Sequence, residues 1–498
     1  MLRSSYNRHM QSLFLIFLSI GLFTAPFLNF NLFFLSWFFF VPILYLIENN
    51  KISPSKLGLT FGTISLLIAT YWMTATLLRL TGAGWGISII SHLLYCLYES
   101  SFYIIVFLFT SLSIRKASNI WLKYLCVIFL YIIFEENFPR IFPYKIGNTQ
   151  ILFSEMSQLI SILGINIVSA LVLTINIASY ELAIKNNNKA AYIIITIFLF
   201  VLMMGSSIEK NTNKYHARGA NIRVAILQPV SSLKKLIHLQ DTINESSKIQ
   251  DLTIWPESSL DKVIVKNKED YINFQKKFAR KFKINSEALL LGSITQNKQG
   301  YYNSALLINK ESEITDIYSK NKLMIFGEYY PLRNLVAKII PIYDSFISLD
   351  KGKIRPLILK KKTNIGVIIC YEDLFEENSM KLTQMGSEIL INLTNDKWYG
   401  DSLAPYQHLM LAIPRSIENK RFLIRSTYNG LSAIISPTGK ILNKVETNVS
   451  GYLLDEVVLR KDKSFYTMNY ANIKMIYYLI FVSLVLLFIK ELKFLRRL

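Results

Sequence analysis

The chain has 498 residues, of which 52% are hydrophobic and only 18% charged, and its formal net charge is +21. That is too apolar for an ordinary soluble enzyme, and long enough for a membrane part beside one full domain. The positive balance reads as lysine and arginine gathered near anionic headgroups; no basic-aromatic groove module points to nucleic acid.

In chain order, apolar runs at 11–28, 31–47, 58–78, 86–112, 119–135, 158–182, 190–205 and 473–489 approach the length of about 20 residues that a bilayer requires. The first follows Arg3 and Arg8 like a signal peptide, yet it lacks a small-residue cleavage site, so it reads as an uncleaved helix. Eight spans place both termini on one side. Arg3, Arg8, Lys51, Lys56, Arg115, Lys116, Lys185, Lys189, Lys490, Lys493, Arg496 and Arg497 fall on that side, which the positive-inside rule makes cytoplasmic. Arg79, Arg140 and Lys145 fall opposite. Among the spans Glu99 is the main ionisable residue, with no partner evident from sequence. Phe33 to Phe40 reads as packing or lipid-facing surface, and the loop 138–145 either as an interfacial element under the extracytoplasmic domain or as a plain interfacial loop. The expected division is a seven-span membrane domain at 1–205, an extracytoplasmic domain at 206–470, and a last span with a basic tail at 471–498.

The middle segment changes character. Short β-type runs recur at 222–227, 252–255, 288–294, 304–308, 365–369, 388–393, 422–426, 431–435 and 451–454. Charged, helix-compatible stretches such as 270–282 and 408–420 lie between them. The pattern predicts an α/β domain with a largely buried sheet and one sizeable core.

Three segments in this domain carry chemistry. Gly366-Val367-Ile368-Ile369-Cys370-Tyr371-Glu372-Asp373 ends an apolar run on a cysteine followed by carboxylates; Trp255-Pro256-Glu257 and Tyr318-Ser319-Lys320 likewise end buried-strand patterns. A thiol is mostly protonated at neutral pH, so a nucleophilic cysteine needs a base or a cation beside it. Glu257 has the chemistry of that base, and Lys320 that of a stabiliser for thiolate and oxyanion. Only strand ends converging in a fold can bring residues so far apart together. Cys96 and Cys126 lie in apolar helical stretches and read as inert packing. No Cys/His cluster has metal-ligand spacing and no glycine-rich phosphate loop is present, so no cofactor is expected.

Taken together, the segments resemble the carbon–nitrogen hydrolase (nitrilase) superfamily with its Glu-Lys-Cys triad. Tyr302-Asn303-Ser304-Ala305, Phe326-Gly327-Glu328-Tyr329, the stretch Asn392 to Gly400 and Arg425-Ser426-Thr427-Tyr428-Asn429-Gly430 add to the likeness. With the membrane spans, the whole chain is similar to one branch, the apolipoprotein N-acyltransferases of bacterial lipoprotein maturation. The resemblance implies an α-β-β-α sandwich on a polytopic helical bundle in the inner membrane, with the sandwich periplasmic. It also implies roles: Cys370 as nucleophile, Glu257 as proton acceptor, Lys320 as oxyanion stabiliser, Glu328 and Glu372 as supporting residues, and Trp398 and Tyr371 as substrate-binding residues, Tyr371 from beneath the pocket. The implied partners are a phospholipid acyl donor, a diacylglyceryl apolipoprotein acceptor and membrane lipid, for a monomer. Ile325 stands where the family commonly has proline, which frees the loop after Lys320. Lys322 and Lys397 add charge to two site loops and read as solvated. The alternatives are a membrane-tethered amidase, a transporter with an extracytoplasmic ligand domain, or a Cys-His protease using His238 or His408.

Overall fold

A computed structural model describes residues 2–82, 84–214, 220–230, 232–245, 249–329, 347–359 and 363–495. Arg496 and Arg497 lie outside the described residues, and the side chains of Arg3, Arg8 and Lys493 are likewise not described. Two units emerge from the packing: residues 1–77, 84–209 and 469–498 form one, residues 78–83 and 210–468 the other.

The first unit is helical. Six described helices are long and apolar enough to cross a membrane: His9–Leu28, Phe30–Glu48, Trp85–Lys116, Ile165–Ala183, Lys189–Lys214 and Phe465–Glu491. Pro54–Ala69 and Met73–Thr81 make a seventh if their 66° bend lies within one span. The expected run at 58–78 is therefore broken. The run at 158–182 breaks too, because Gly164 (φ +75°) separates Ile160–Leu163 from Ile165–Ala183.

The helix Ile120–Asn137 is not among the apolar spans, for it carries Lys123, Glu135 and Glu136. Both carboxylates serve as staples. Glu135 accepts from the Ile146 amide (2.7 Å) and the Ser169 hydroxyl (2.7 Å). Glu136 pairs with Lys145 and Lys474. Glu99, expected to lack a partner, has one. Its Oε1 accepts from the Ile141 amide at 3.3 Å, and Arg140 Nε stands 3.9 Å from its Oε2. Arg140 is itself buried, its guanidinium lying 4.3 Å from the Phe102 ring and 4.1 Å from the Tyr144 ring. In the Phe-rich run, Phe39 and Phe40 are fully buried while Phe34 and Phe38 are exposed.

The second unit holds thirteen described strands: β1 Asn221–Gln228, β2 Leu252–Ile254, β3 Leu260–Ile264, β4 Ala288–Gln296, β5 Tyr301–Asn309, β6 Ile314–Ser319, β7 Leu357–Leu359, β8 Thr363–Ile369, β9 Ile389–Asn395, β10 Leu423–Tyr428, β11 Ser432–Ile435, β12 Ile441–Val445 and β13 Gly451–Val458. One sheet runs β13-β1-β2-β4-β5-β6 with β3 beside β4; the other runs β12-β11-β10-β9-β8-β7. The centres of both are parallel: β1-β2-β4 in one, β8-β9-β10 in the other.

Alternate side chains of each strand serve different layers. Val224, Ile226, Leu290 and Leu307 meet Val367, Ile369, Ile391 and Ile424 between the two sheets. Ala225, Leu227, Leu289 and Leu291 face outward onto Leu236 and Leu239 of helix Leu233–Asn244 and Phe278 of helix Lys268–Lys281. Helices Glu376–Gln384, Ala404–Ala412 and Pro414–Asn419 accompany the second sheet. The result is an α-β-β-α sandwich. Because both sheet faces are covered, the central strands read as continuous apolar runs. The helix expected over 408–420 begins earlier and is split at Pro414, which has no amide hydrogen to continue the ladder. Strands β3, β7 and β12, which the apolar pattern does not reveal, are short or lie at sheet edges.

Candidate active site

The site forms where strands end. Glu257 follows β2, Lys320 follows β6 and Cys370 follows β8, so three segments distant in sequence meet. Each is locally anchored. Trp255 is fully buried against Phe278 and Phe282, and its Nε1 donates to Gln240 at 2.8 Å, which fixes the backbone ahead of Glu257. Gly292 on β4 lies against that loop so closely that a Cβ there would meet Glu257 Cα at 2.5 Å. Cys370 starts the short turn Cys370–Leu374 with φ +48°, a left-handed conformation that a non-glycine residue adopts only under constraint.

The side chains make a compact polar group. The Cys370 thiol and the Glu257 carboxyl are close enough for each to act on the other's proton. Lys320 Nζ stands 3.9 Å from Glu257 and 2.9 Å from Glu328. Asn303 Nδ2 donates to Glu257 Oε1 at 2.6 Å and to Glu328 Oε1 at 2.7 Å, while its own Oδ1 is buried with no hydrogen-bond partner. Glu328 Oε2 accepts from the Met324 amide at 2.8 Å. Lys320 and Glu257 are buried; Cys370 and Glu328 are half-buried.

Burial raises the Glu257 carboxyl above its ordinary range, with Glu328 adding to it and Lys320 and the Asn303 hydrogen bond opposing. Burial likewise raises the Cys370 thiol, with Glu257 adding and Lys320 opposing. Burial works against the Lys320 ammonium, but the charges of Glu328 and Glu257 more than offset it, so the amine stays protonated. At rest, then, the sulfur is a neutral thiol beside a base and a fixed cation. A thiol held in this form becomes nucleophilic only if a neighbouring group accepts its proton.

Glu372 has a different place from a pocket wall. It is fully buried and accepts from five donors: the Tyr318 hydroxyl (2.9 Å), the amides of Asn321 (2.7 Å), Lys322 (3.0 Å) and Ile369 (2.8 Å), and Asn378 Nδ2 (2.8 Å). It therefore ties the segment after Lys320 to the turn that bears Cys370. Tyr371 is buried with its ring 4.9 Å from Phe375, and Trp398 is 44% exposed on the turn Lys397–Tyr399. Lys322 is exposed, as expected, and its ammonium also lies 4.6 Å from the Phe375 ring. Ile325 bridges to Tyr329, and Phe326 between them has φ +62° and is exposed.

Sequence reasoning missed a second buried cluster: Asp373, Asp396, Arg425 and His408. Arg425 Nη1 donates to Asp373 Oδ2 and, at 3.0 Å, to Asn392 Oδ1; Nη2 donates to Asp396 Oδ2 at 3.2 Å. His408 contacts no catalytic sulfur. Its Nε2 is 2.9 Å from Asp373 and its Nδ1 3.1 Å from Asp396. His238 is exposed on helix Leu233–Asn244. The protease alternative thus lacks a Cys-His pair. A signal was available: Arg425 and Asn392 are neighbours in register on β10 and β9, each following an apolar start to a strand that is almost wholly buried. Asn303 likewise interrupts the face of β5 that carries Ala305 and Leu307. Among the described residues, no group of His, Cys, Asp and Glu has the arrangement of a metal site.

The sequence model of the carbon–nitrogen hydrolase superfamily matches residues 223–461, the stretch that folds into this sandwich. A second model, the apolipoprotein N-acyltransferase N-terminal domain, matches residues 19–178. The relatives agree over nearly the whole length. The apolipoprotein N-acyltransferase of Wigglesworthia glossinidia brevipalpis is 28% identical over 89% of this chain and 90% of its own. That of Rickettsia typhi is 27% identical over 95% and 96%. The chain belongs to the apolipoprotein N-acyltransferase family, within that superfamily.

Proposed function

We propose that this enzyme N-acylates apolipoproteins, moving a fatty acyl chain from a phospholipid to the α-amine of an S-diacylglyceryl-cysteine through a thioester on Cys370. The observation that carries the mechanism is the meeting of Cys370 Sγ with Glu257, beside the Lys320 ammonium.

In the first half-reaction Glu257 takes the thiol proton as sulfur attacks the ester carbonyl. Lys320 holds the resulting oxyanion. Collapse expels the lysophospholipid alkoxide, which takes the proton back from Glu257, and a thioester remains. The acceptor α-ammonium releases one proton to solvent, its free amine attacks the thioester while Glu257 takes the second nitrogen proton, and collapse expels the thiolate, which that proton neutralises as Glu257 returns to its anion. One sulfur serving both substrates predicts ping-pong kinetics. Glu328 keeps Lys320 in place, and the exposed rings of Trp398 and Phe326 suit lipid contact.

Two lipid-anchored substrates require the sulfur near a bilayer surface. Counting the bent pair and Ile120–Asn137 brings the spans to eight, which the charge bias turns into cytoplasmic termini and a periplasmic catalytic domain, in the inner membrane of a bacterium. Labelling of the domain by an impermeant reagent in right-side-out but not inside-out vesicles is expected; the reverse would overturn the orientation. The chemistry is tested by mass spectrometry of Cys370 after incubation with phospholipid, followed by addition of a diacylglyceryl-cysteinyl peptide. A thioester that disappears into N-acylated peptide supports the proposal. Hydrolysis alone would instead mark a membrane-tethered amidase, and an unmodified Cys370 would remove the nucleophile.

A further inference from the structure

The cluster of Asp373, Arg425, Asp396 and His408 does none of the chemistry above, yet it lies directly behind the nucleophile. Asp373 belongs to the same turn as Cys370, and Asn392, which receives Arg425 Nη1, donates Nδ2 to the Cys370 carbonyl at 3.4 Å. Asp373, Asp396, Arg425 and Asn392 are all at most 1% exposed, and His408 is 6% exposed. Two carboxylates and one guanidinium leave a net negative charge under the sulfur. Asp396 and Asp373 both act to hold the Cys370 proton in place.

We propose that His408 is a positioning residue for Cys370: it carries a proton between Asp373 and Asp396, so the cluster is neutral and the thiol ionises against a balanced background. The geometry carries this. Each ring nitrogen has its own carboxylate, at 2.9 Å for Nε2 and 3.1 Å for Nδ1, and only an imidazolium donates from both. Arg425 Nη2 lies 2.9 Å from the same Nδ1, a contact a neutral ring would accept; the two anions outweigh that single cation. Tyr399 also faces it, its ring meeting the imidazole edge-on at 6.2 Å between centroids. Burial and Arg425 work against the imidazolium, but the two carboxylates outweigh them, so its pKa lies above the ordinary histidine value.

The inference rests on Cys370 being the reactive thiol, and the experiment separates the two. The full chain, in detergent, is alkylated with iodoacetamide across a pH series, and modification at Cys370 is read by mass spectrometry. Absence of alkylation at Cys370 in the unaltered chain would count against the nucleophile itself. With that alkylation present, His408→Gln is expected to move its midpoint up by about one pH unit. Adding Asp373→Asn, which rebalances the charge, is expected to bring it back. A midpoint unmoved in the single variant, or unrestored in the folded double variant, overturns the proposal. If His408→Gln does not fold, histidine-selective NMR of the unaltered chain decides instead. One imidazole still protonated at about pH 8 supports the proposal, and five neutral rings there overturn it.

Discussion

Glu257 and Glu372 are both buried carboxylates near Cys370, and burial raises the pKa of both. Their surroundings separate them. Glu257 receives one amide hydrogen from Asn303, meets the thiol and has a cation 3.9 Å away, so it keeps lone pairs free for a proton. Glu372 is saturated by five donors from three stretches of chain. A carboxylate with spare acceptor capacity can exchange a proton; a saturated one can only hold its donors together. The direction of a pKa shift does not tell the two apart, and the donor inventory does.

The sharpest break is at the group both serve. Cys370→Ala is expected to lower N-acyl transfer by about 10⁴-fold or more while leaving membrane insertion and thermal unfolding unchanged. Activity retained in that variant would remove the nucleophile. Next come the groups facing the sulfur. Glu257→Gln is expected to lower the rate of thioester formation by about 10³-fold, and Lys320→Ala by about 10²-fold or more. Single-turnover labelling of Cys370 by phospholipid measures both. Near-normal labelling would dismiss either residue from the chemistry.

The other side of the comparison is tested by stability. Glu372→Gln turns one acceptor oxygen into an N–H₂ group facing backbone N–H groups, leaving buried donors unpaired. A loss of about 2–3 kcal/mol is expected, read as a lower midpoint of unfolding. Glu257→Gln is expected to leave that midpoint nearly in place. If the two variants change stability alike, the distinction between proton exchanger and staple is wrong.

The placement of Glu257, Lys320 and Cys370 at strand ends was legible in the sequence because each follows a β-type run, and a buried sheet was legible because the central strands are apolar on both faces; that there are two sheets came only from the resemblance. What stayed hidden has a common physical cause. The bend at residues 70–72, the break at Gly164 and the charges of Ile120–Asn137 are local decisions inside runs whose average composition still reads as a span. Arg425, His408, Asp373 and Asp396 come from four separate segments, and their pairing exists only once β8, β9 and β10 stand side by side. Buried polar residues inside strands with an apolar start were the available hint, since each demands a partner that local sequence does not supply.

The smallest expected effect is the finest test of Glu257 as an exchanger. Asn303 Nδ2 donates to its Oε1 at 2.6 Å, which favours the anionic form. The first half-reaction needs that anion, so the rate falls as pH drops through the Glu257 pKa, which lies above the ordinary glutamate range. Asn303→Ala removes a donor to the anion, so the pKa rises further and the acid limb of the rate profile moves to higher pH, by about one unit. On that limb the variant is then about tenfold slower, while above it the two rates converge. A uniform drop across the whole pH range, with the limb unmoved, would mean that Asn303 merely fills space between two glutamates.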